Sequence, residues 1–162
     1  MKTRTGNFLR DLYHRMMEDL PSARERAAIS PILYAQYRII THLIRKFAHG
    51  QCIDLGCGTA PFYEEMKGIV DKCDTLDRER RIEFLTFQAD IEDLRGIVPN
   101  EMYDLALCLD VLEHVSHPWI ALSEIQRILK PGALLILSVP HLSRLHDVPN
   151  DYYRFTEYGL SS

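Results

Sequence analysis

The sequence predicts an α/β fold with a mostly parallel sheet, and three observations carry that expectation. From Gln51 onward short apolar runs alternate with helical stretches, as a sheet built from βαβ units requires. The first run ends in a glycine turn, Asp54-Leu55-Gly56-Cys57-Gly58-Thr59, of the kind that holds nucleotides at strand ends. Acids then close three successive runs, at Asp54, Asp77 and Asp90. With 162 residues the chain suits one domain: an N-terminal helical cap over residues 1–50 and a core over 51–162.

The N-terminal texture is helical. Phe8, Leu9, Leu12, Tyr13, Met16, Met17 and Leu20 fall on one face at helix spacing. The stripe reads as a helix packed on a body. The alternative, a membrane-surface helix, would carry a more basic polar face, whereas Asp11, Glu18 and Asp19 here offset Arg10 and Arg15. No continuous apolar segment marks a signal peptide or membrane anchor. Pro21 ends this helix, and a second follows Pro31 with Ile32, Ile39, Ile40, Leu43, Ile44 and Phe47 as its apolar stripe. Gly50 closes it.

Five strands are expected at Cys52–Leu55, Cys73–Leu76, Glu83–Gln88, Tyr103–Leu109 and Ala133–Val139. Helices are expected near Pro61–Met66 and Pro118–Leu129, with a weaker turn near Ile91–Ile97. Pro118 suits a helix start, and Lys130-Pro131-Gly132 is a stop signal. The net charge of −4 argues against non-specific binding to nucleic acid. Cys52, Cys57, Cys73 and Cys108 form no C-x-x-C pair, so they read as reduced thiols of a cytoplasmic protein.

The glycine turn departs from a dinucleotide fingerprint. Pro61 follows Gly56-x-Gly58 where a third glycine would be expected, and proline removes an N–H that a phosphate would seek. Asp54 points an anion toward the ligand, which suits a positive group and repels phosphate. An adenosine-like ligand with an ammonium and no phosphate fits better, and S-adenosylmethionine (SAM) is such a ligand.

Asp54-Leu55-Gly56-Cys57-Gly58-Thr59 also resembles the first motif of class I SAM-dependent methyltransferases. The run Asp104–Val115 is similar to their fourth strand and following loop, and Glu124–Gly132 to the helix and turn before their fifth strand. The segment His146–Thr156 is similar to one in the "type 11" branch. The resemblance implies a Rossmann-like, doubly wound sheet in strand order 3-2-1-4-5, the last two of the family's usual seven strands being absent from this sequence. A fifth strand without them would be an apolar edge, to be covered by a second copy in a homodimer or by a longer form of the protein.

Residue roles follow from the same resemblance. Asp54 and the Gly56-Cys57-Gly58 backbone would meet the methionyl ammonium and carboxylate. Asp77, with Arg78 beside it, would take the ribose hydroxyls; Asp90 and Ile91 would hold the adenine; Leu109 and Asp110 would line the methyl-donor pocket. Each acid has a plainer alternative, Asp54 and Asp90 as helix caps and Asp77 as a solvated partner of Arg78 or Arg81. Base candidates for an acceptor that must lose a proton are His146, Asp151 and His114, with His141 further off; Tyr152 and Arg154 would join His146 and Asp151 in a polar lid.

Asp110-x-x-Glu113-His114 is similar to a pattern in small-RNA 3′-end 2′-O-methyltransferases, which coordinate a divalent ion with a further histidine. His141 or His146 would have to serve here, and neither matches clearly, so no metal is expected. The expected activity is methyl transfer from SAM to a small-molecule hydroxyl or similar nucleophile. The alternatives are a SAM-binding module without catalysis, an RNA 2′-O-methyltransferase and an NAD-dependent oxidoreductase.

Overall fold

The computed structural model describes residue 20 and residues 22–161. The apolar stripe expected between Phe8 and Leu20 and the stop at Pro21 thus lie almost wholly outside the described residues. Helix α1 (Ala23–Ala27) and helix α2 (Pro31–Phe47) open the fold. Strand β1 (Gln51–Leu55), α3 (Tyr63–Met66), β2 (Lys72–Asp77), β3 (Phe87–Gln88) and β4 (Tyr103–Leu109) follow. Then come α4 (Pro118–Ile128), β5 (Leu129–Ser138) and α5 (Glu157–Ser161). The strands form one sheet in the order β3-β2-β1-β4-β5, and every pairing is parallel. The expected α/β, Rossmann-like order is therefore present.

Central position explains the apolar runs. Ile53 and Leu55 of β1 and Leu105, Ala106, Leu107 and Cys108 of β4 are buried, because helices and loops cover both faces of the sheet. One face packs on α4 through Ala121, Ile125 and Ile128. The other packs on Ile40 and Ile44 of α2, together with Phe62 and Met66. Deep in the sheet, the Tyr103 hydroxyl donates to Asp74 Oδ2 at 2.9 Å, and Lys72 Nζ pairs with Asp74 Oδ1 at 2.9 Å. Tyr103→Phe leaves a buried carboxylate oxygen short of one donor, so it is expected to lower stability by about 2 kcal/mol. Chemical denaturation of the two proteins, read as a shift in midpoint at constant slope, checks this.

Five expectations are corrected, one of them the fifth strand, which runs over Leu129–Ser138 rather than Ala133–Val139 and so takes in Lys130-Pro131-Gly132. The third strand shrinks from Glu83–Gln88 to Phe87–Gln88. Before it, the Thr86 N–H donates to both the Thr75 carbonyl and Thr75 Oγ1 at 3.1 Å, and the Thr75 N–H turns to Thr86 Oγ1 at 3.2 Å, so side-chain bonds stand in for part of a regular ladder. The helix expected from Pro61 starts at Tyr63, since the Pro61 carbonyl is taken by the Ala23 N–H at 2.7 Å. Helix α1 was not foreseen, although Ser22-x-x-Glu25 is a capping box and forms as one, with the Glu25 N–H donating to Ser22 Oγ at 3.2 Å and the Ser22 N–H to Glu25 Oε2 at 3.1 Å. On α2, Ile32 and Ile39 are exposed. The inward face instead runs through Leu33, Gln36, Tyr37, Ile40 and Ile44, and its first half faces a cavity rather than core.

Candidate functional site

The glycine turn leaves β1 at the carboxyl end of the sheet, where open α/β folds bind ligands. Gly56 has φ +65° and Gly58 φ +55°, a left-handed backbone that a side chain strains. The two glycines differ in their surroundings. A Cβ on Gly56 would lie 2.5 Å from Val111 Cγ2, whereas a Cβ on Gly58 would meet nothing within 4 Å. Gly56 thus lets the turn pass under the loop after β4, and Gly58 presents bare backbone to open space.

Two cavities adjoin over this turn. The first, about 380 Å³, is lined by Asp54, Gly56, Cys57, Gly58, Leu109 and Asp110, with Gln36 and Tyr37 of α2, Arg26 and Arg81. The second, about 530 Å³, is lined by Gly56, Gly58, Asp77, Arg78, Asp90, Ile91 and Asp110, with His114, Asp147 and Asn150 on its far side. All ten residues expected to hold the cofactor therefore line one or both cavities. Gly56, Gly58, Arg81 and Asp110 line both. The volumes fall in the range of about 300–1,000 Å³ usual for small-molecule sites.

The acids at the strand ends are not equivalent. Asp54 is only 4% exposed; burial first, and then the nearby Asp77 charge, push its carboxyl up to about 7. It caps no helix, since the next one begins at Tyr63. Asp77 is held by backbone amides: the Gly58 N–H donates to Oδ2 at 2.8 Å and the Glu79 N–H to Oδ1 at 2.9 Å. The arginine partners entertained for Asp77 are otherwise placed, Arg81 pairing with Glu79 at 3.0 Å and Arg78 lining the second cavity. Asp90 accepts the Glu92 N–H at 2.9 Å and closes its own turn, with Ile91 buried beside it.

Asp110 has φ +54° and is fixed from two sides, by the Gln36 side-chain amide from α2 and by Ser138 Oγ at 2.9 Å from the end of β5. Gln36 was missed in the sequence. Its signal is a polar residue one turn before Ile40, on the inward face of α2.

The three base candidates come together around a residue the sequence did not single out as a base, Glu113. Glu113 is 0% exposed and sits in the short turn after β4. Burial raises its carboxyl from the ordinary range, with the backbone and His114 drawing it back. Its carbonyl accepts the Tyr152 N–H at 2.8 Å, which ties the 146–153 loop onto the turn. His114 and His146 stack edge to face, ring centroids 4.8 Å apart. Asp151 accepts the His146 N–H at 2.8 Å and is clamped by Arg154 at 2.6 and 2.7 Å. That clamp holds the Asp151 carboxyl well below the usual range, and the bond from the His146 N–H fixes the backbone of the loop there. His141 lies apart, its Nδ1 2.9 Å from the Phe155 carbonyl.

Comparison with known proteins places this arrangement. A family described as a methyltransferase domain matches residues 4–160. Over 125 residues the chain is 22% identical to a ubiquinone biosynthesis O-methyltransferase of Rickettsia akari, covering 68% of this chain and 49% of that protein. It is 32% identical over 125 residues to an uncharacterized protein of Methanocaldococcus jannaschii, covering 72% of this chain and 54% of that protein. The chain thus spans about half the length of these curated relatives. Among solved structures, a SAM-dependent methyltransferase from Archaeoglobus fulgidus shares the fold with a TM-score of 0.66 at 17% identity, over 92% of this chain and 70% of that one.

Proposed function

Since the chain belongs to the methyltransferase-domain family, we propose that it moves a methyl group from SAM to a hydroxyl of a small-molecule acceptor. Family membership agrees with the donor expected from the glycine turn. The observation that carries the residue assignment is the buried Asp54 carboxyl at the wall of the first cavity. An amino-acid ammonium is the complement of such a group. In this reading Asp54 and the Gly56–Gly58 backbone take the methionyl end in the first cavity. Asp77, Asp90 and Ile91 take the nucleoside in the second, with Arg78 at its rim, and Leu109 and Asp110 stand at the junction.

When bound, SAM supplies an already activated methyl on a sulfonium leaving group, so positioning and removal of the acceptor's proton are what the chain must add. His114 lines the second cavity, and His146 lies against it. A hydroxyl needs such a basic cluster more than an amine does. The O-methyltransferase among the relatives is a further support. Four free cysteines, with burial pushing the Cys52 thiol up to about 11, suit a reducing compartment such as the cytoplasm. Among the described residues no helix is long and apolar enough to cross a membrane. The β5 edge, where Leu134 is exposed, is where a second copy would pair.

Incubation with methyl-labelled SAM and parallel panels of small phenols, alcohols and amines tests the acceptor class. Label on oxygen acceptors that falls at least about tenfold in His146→Ala is the expected result. Label on amines alone, or none from protein that binds the demethylated product, contradicts it.

A further inference from the structure

Glu113, His114 and His146 present one carboxylate oxygen and two imidazole nitrogens that all lie within 4.8 Å of one another. We propose that these three side chains bind one divalent transition-metal ion of borderline softness, zinc above all.

Glu113 is buried without a partner for its carboxylate. Its side chain is 0% exposed, and neither carboxylate oxygen has a hydrogen-bond partner. Buried carboxylates are paired, hydrogen-bonded or bound to a metal, because an isolated one is very costly. The nearest cationic candidates do not supply a hydrogen bond. His114 Nε2 is 3.8 Å and His146 Nε2 is 3.9 Å from Glu113 Oε1, beyond hydrogen-bond reach. Those gaps suit an ion better. Ligand atoms about 2.0–2.1 Å from a tetrahedral centre stand about 3.4 Å apart, so closing on the ion takes about half an ångström for each imidazole against Glu113 and up to about 1.4 Å between the two imidazoles.

The imidazoles' outer nitrogens point independently to the same site. His114 Nδ1 lies 2.7 Å from the Asn150 carbonyl, and His146 Nδ1 lies 3.1 Å from the Arg144 carbonyl. A carbonyl only accepts, so each Nδ1 carries a proton, which leaves Nε2, on the Glu113 side, as the nitrogen that can give a lone pair to an ion. This is how metal-bound histidines are held, and those outer bonds fix both the tautomer and the ring orientation. The loop that brings His146 is itself pinned, by Asp151 on the His146 N–H and by the Tyr152 N–H on the Glu113 carbonyl.

Ligand chemistry selects the ion. Two imidazoles and one carboxylate suit zinc or iron(II), whereas magnesium prefers an all-oxygen shell. Asp110, the acid that begins the Asp-x-x-Glu-His run, is taken by Gln36 and Ser138 and stays outside the set. Three protein ligands leave at least one position open. A hydroxyl bound there would lose its proton to solvent water more readily. That consequence rests on the O-methyl transfer reading, whereas the ion site does not.

Cobalt(II) is the probe, because its visible ligand-field absorption reports coordination without any turnover. Metal-free protein is expected to take up one equivalent of Co²⁺, displaceable by Zn²⁺ and indifferent to Mg²⁺. Glu113→Gln and His146→Ala are each expected to weaken uptake by about 100-fold. Glu113→Gln should also raise the unfolding temperature of the metal-free protein, because it removes the unpaired buried carboxylate. Retained stabilisation by the demethylated cofactor certifies that the variants are folded. No Co²⁺ band in the wild type, or a band that survives both substitutions, overturns the ion site. Loss of cofactor stabilisation with Co²⁺ uptake intact overturns the transfer reading and leaves the ion site standing.

Discussion

Asp54→Asn is expected to weaken binding of SAM and its demethylated product by about 3 kcal/mol, roughly 150-fold, while making the ligand-free protein more stable at pH 8. Both signs come from one fact, the burial of this carboxyl at the wall of the first cavity. Removing one partner of a buried charge pair leaves the ammonium without its counter-charge. Without ligand, however, the same burial is a liability, since it pushes the carboxyl up to about 7, with Asp77 adding to the effect.

The sign with pH is fixed by linkage. Between about pH 4 and pH 7 the folded protein holds a proton here that the unfolded chain has released, so this group lowers stability as pH rises through that window. The penalty is full above about 7. Asp54→Asn should therefore change little below about pH 4, stabilise increasingly between about pH 4 and pH 7, and stabilise fully at pH 8. Binding runs the other way. A cationic ligand favours the ionised carboxylate, so affinity should fall as pH drops below about 7, with one proton released per ligand bound. It should fall again as the ligand's α-amino group loses its proton, at about 8. Calorimetry in buffers of different ionisation enthalpy measures the released proton directly. Affinity that is flat from pH 5 to pH 8 would remove Asp54 from the ammonium contact.

Gly56→Ala carries the second large effect, on stability. At φ +65° an alanine is strained by about 1–2 kcal/mol. Its methyl would also lie 2.5 Å from one Val111 methyl and 2.8 Å from the other, and such overpacking costs about 1–3 kcal/mol more. A fall in unfolding temperature of about 6–12 °C is expected for a loss of about 3 kcal/mol. Gly58→Ala has the strain without the clash and should lose only about 1 kcal/mol. Val111→Ala in the Gly56→Ala background should recover part of the loss, as a double-mutant cycle. Equal losses at Gly56 and Gly58 would show that the close approach to Val111 does not matter.

These cases mark what could be read from the chain alone. Asp54, Asp77 and Asp90 were legible because each ends an apolar run, and strand ends converge on one edge of a parallel sheet. That Gly56 needs to be glycine was legible from the turn. The cause was not, since Val111 lies far along the chain and meets Gly56 only when β1 and β4 pair. The third strand was overread because Phe84 and Leu85 look strand-like, while the side-chain bonding of Thr75 with Thr86 leaves no pattern. Gln36, and Glu113 as the centre of the base cluster, were hidden for the same reason as Val111. Gln36 meets Asp110, and His146 meets Glu113, only through the tertiary fold. Asp151 was read as a possible base, and the Arg154 clamp that holds it ionised was visible only once their distance was known.

The most direct test of the central claim is thermal unfolding of wild type and Asp54→Asn with SAM, its demethylated product or NAD. At about 100 times the dissociation constant a ligand that binds only the folded state adds about 2.7 kcal/mol, an upward shift of about 5–11 °C. The wild type should show that shift with SAM and with the product, not with NAD, and Asp54→Asn should show almost none at the same concentrations. Stabilisation by NAD alone, or an undiminished response in Asp54→Asn, would contradict SAM binding at this site.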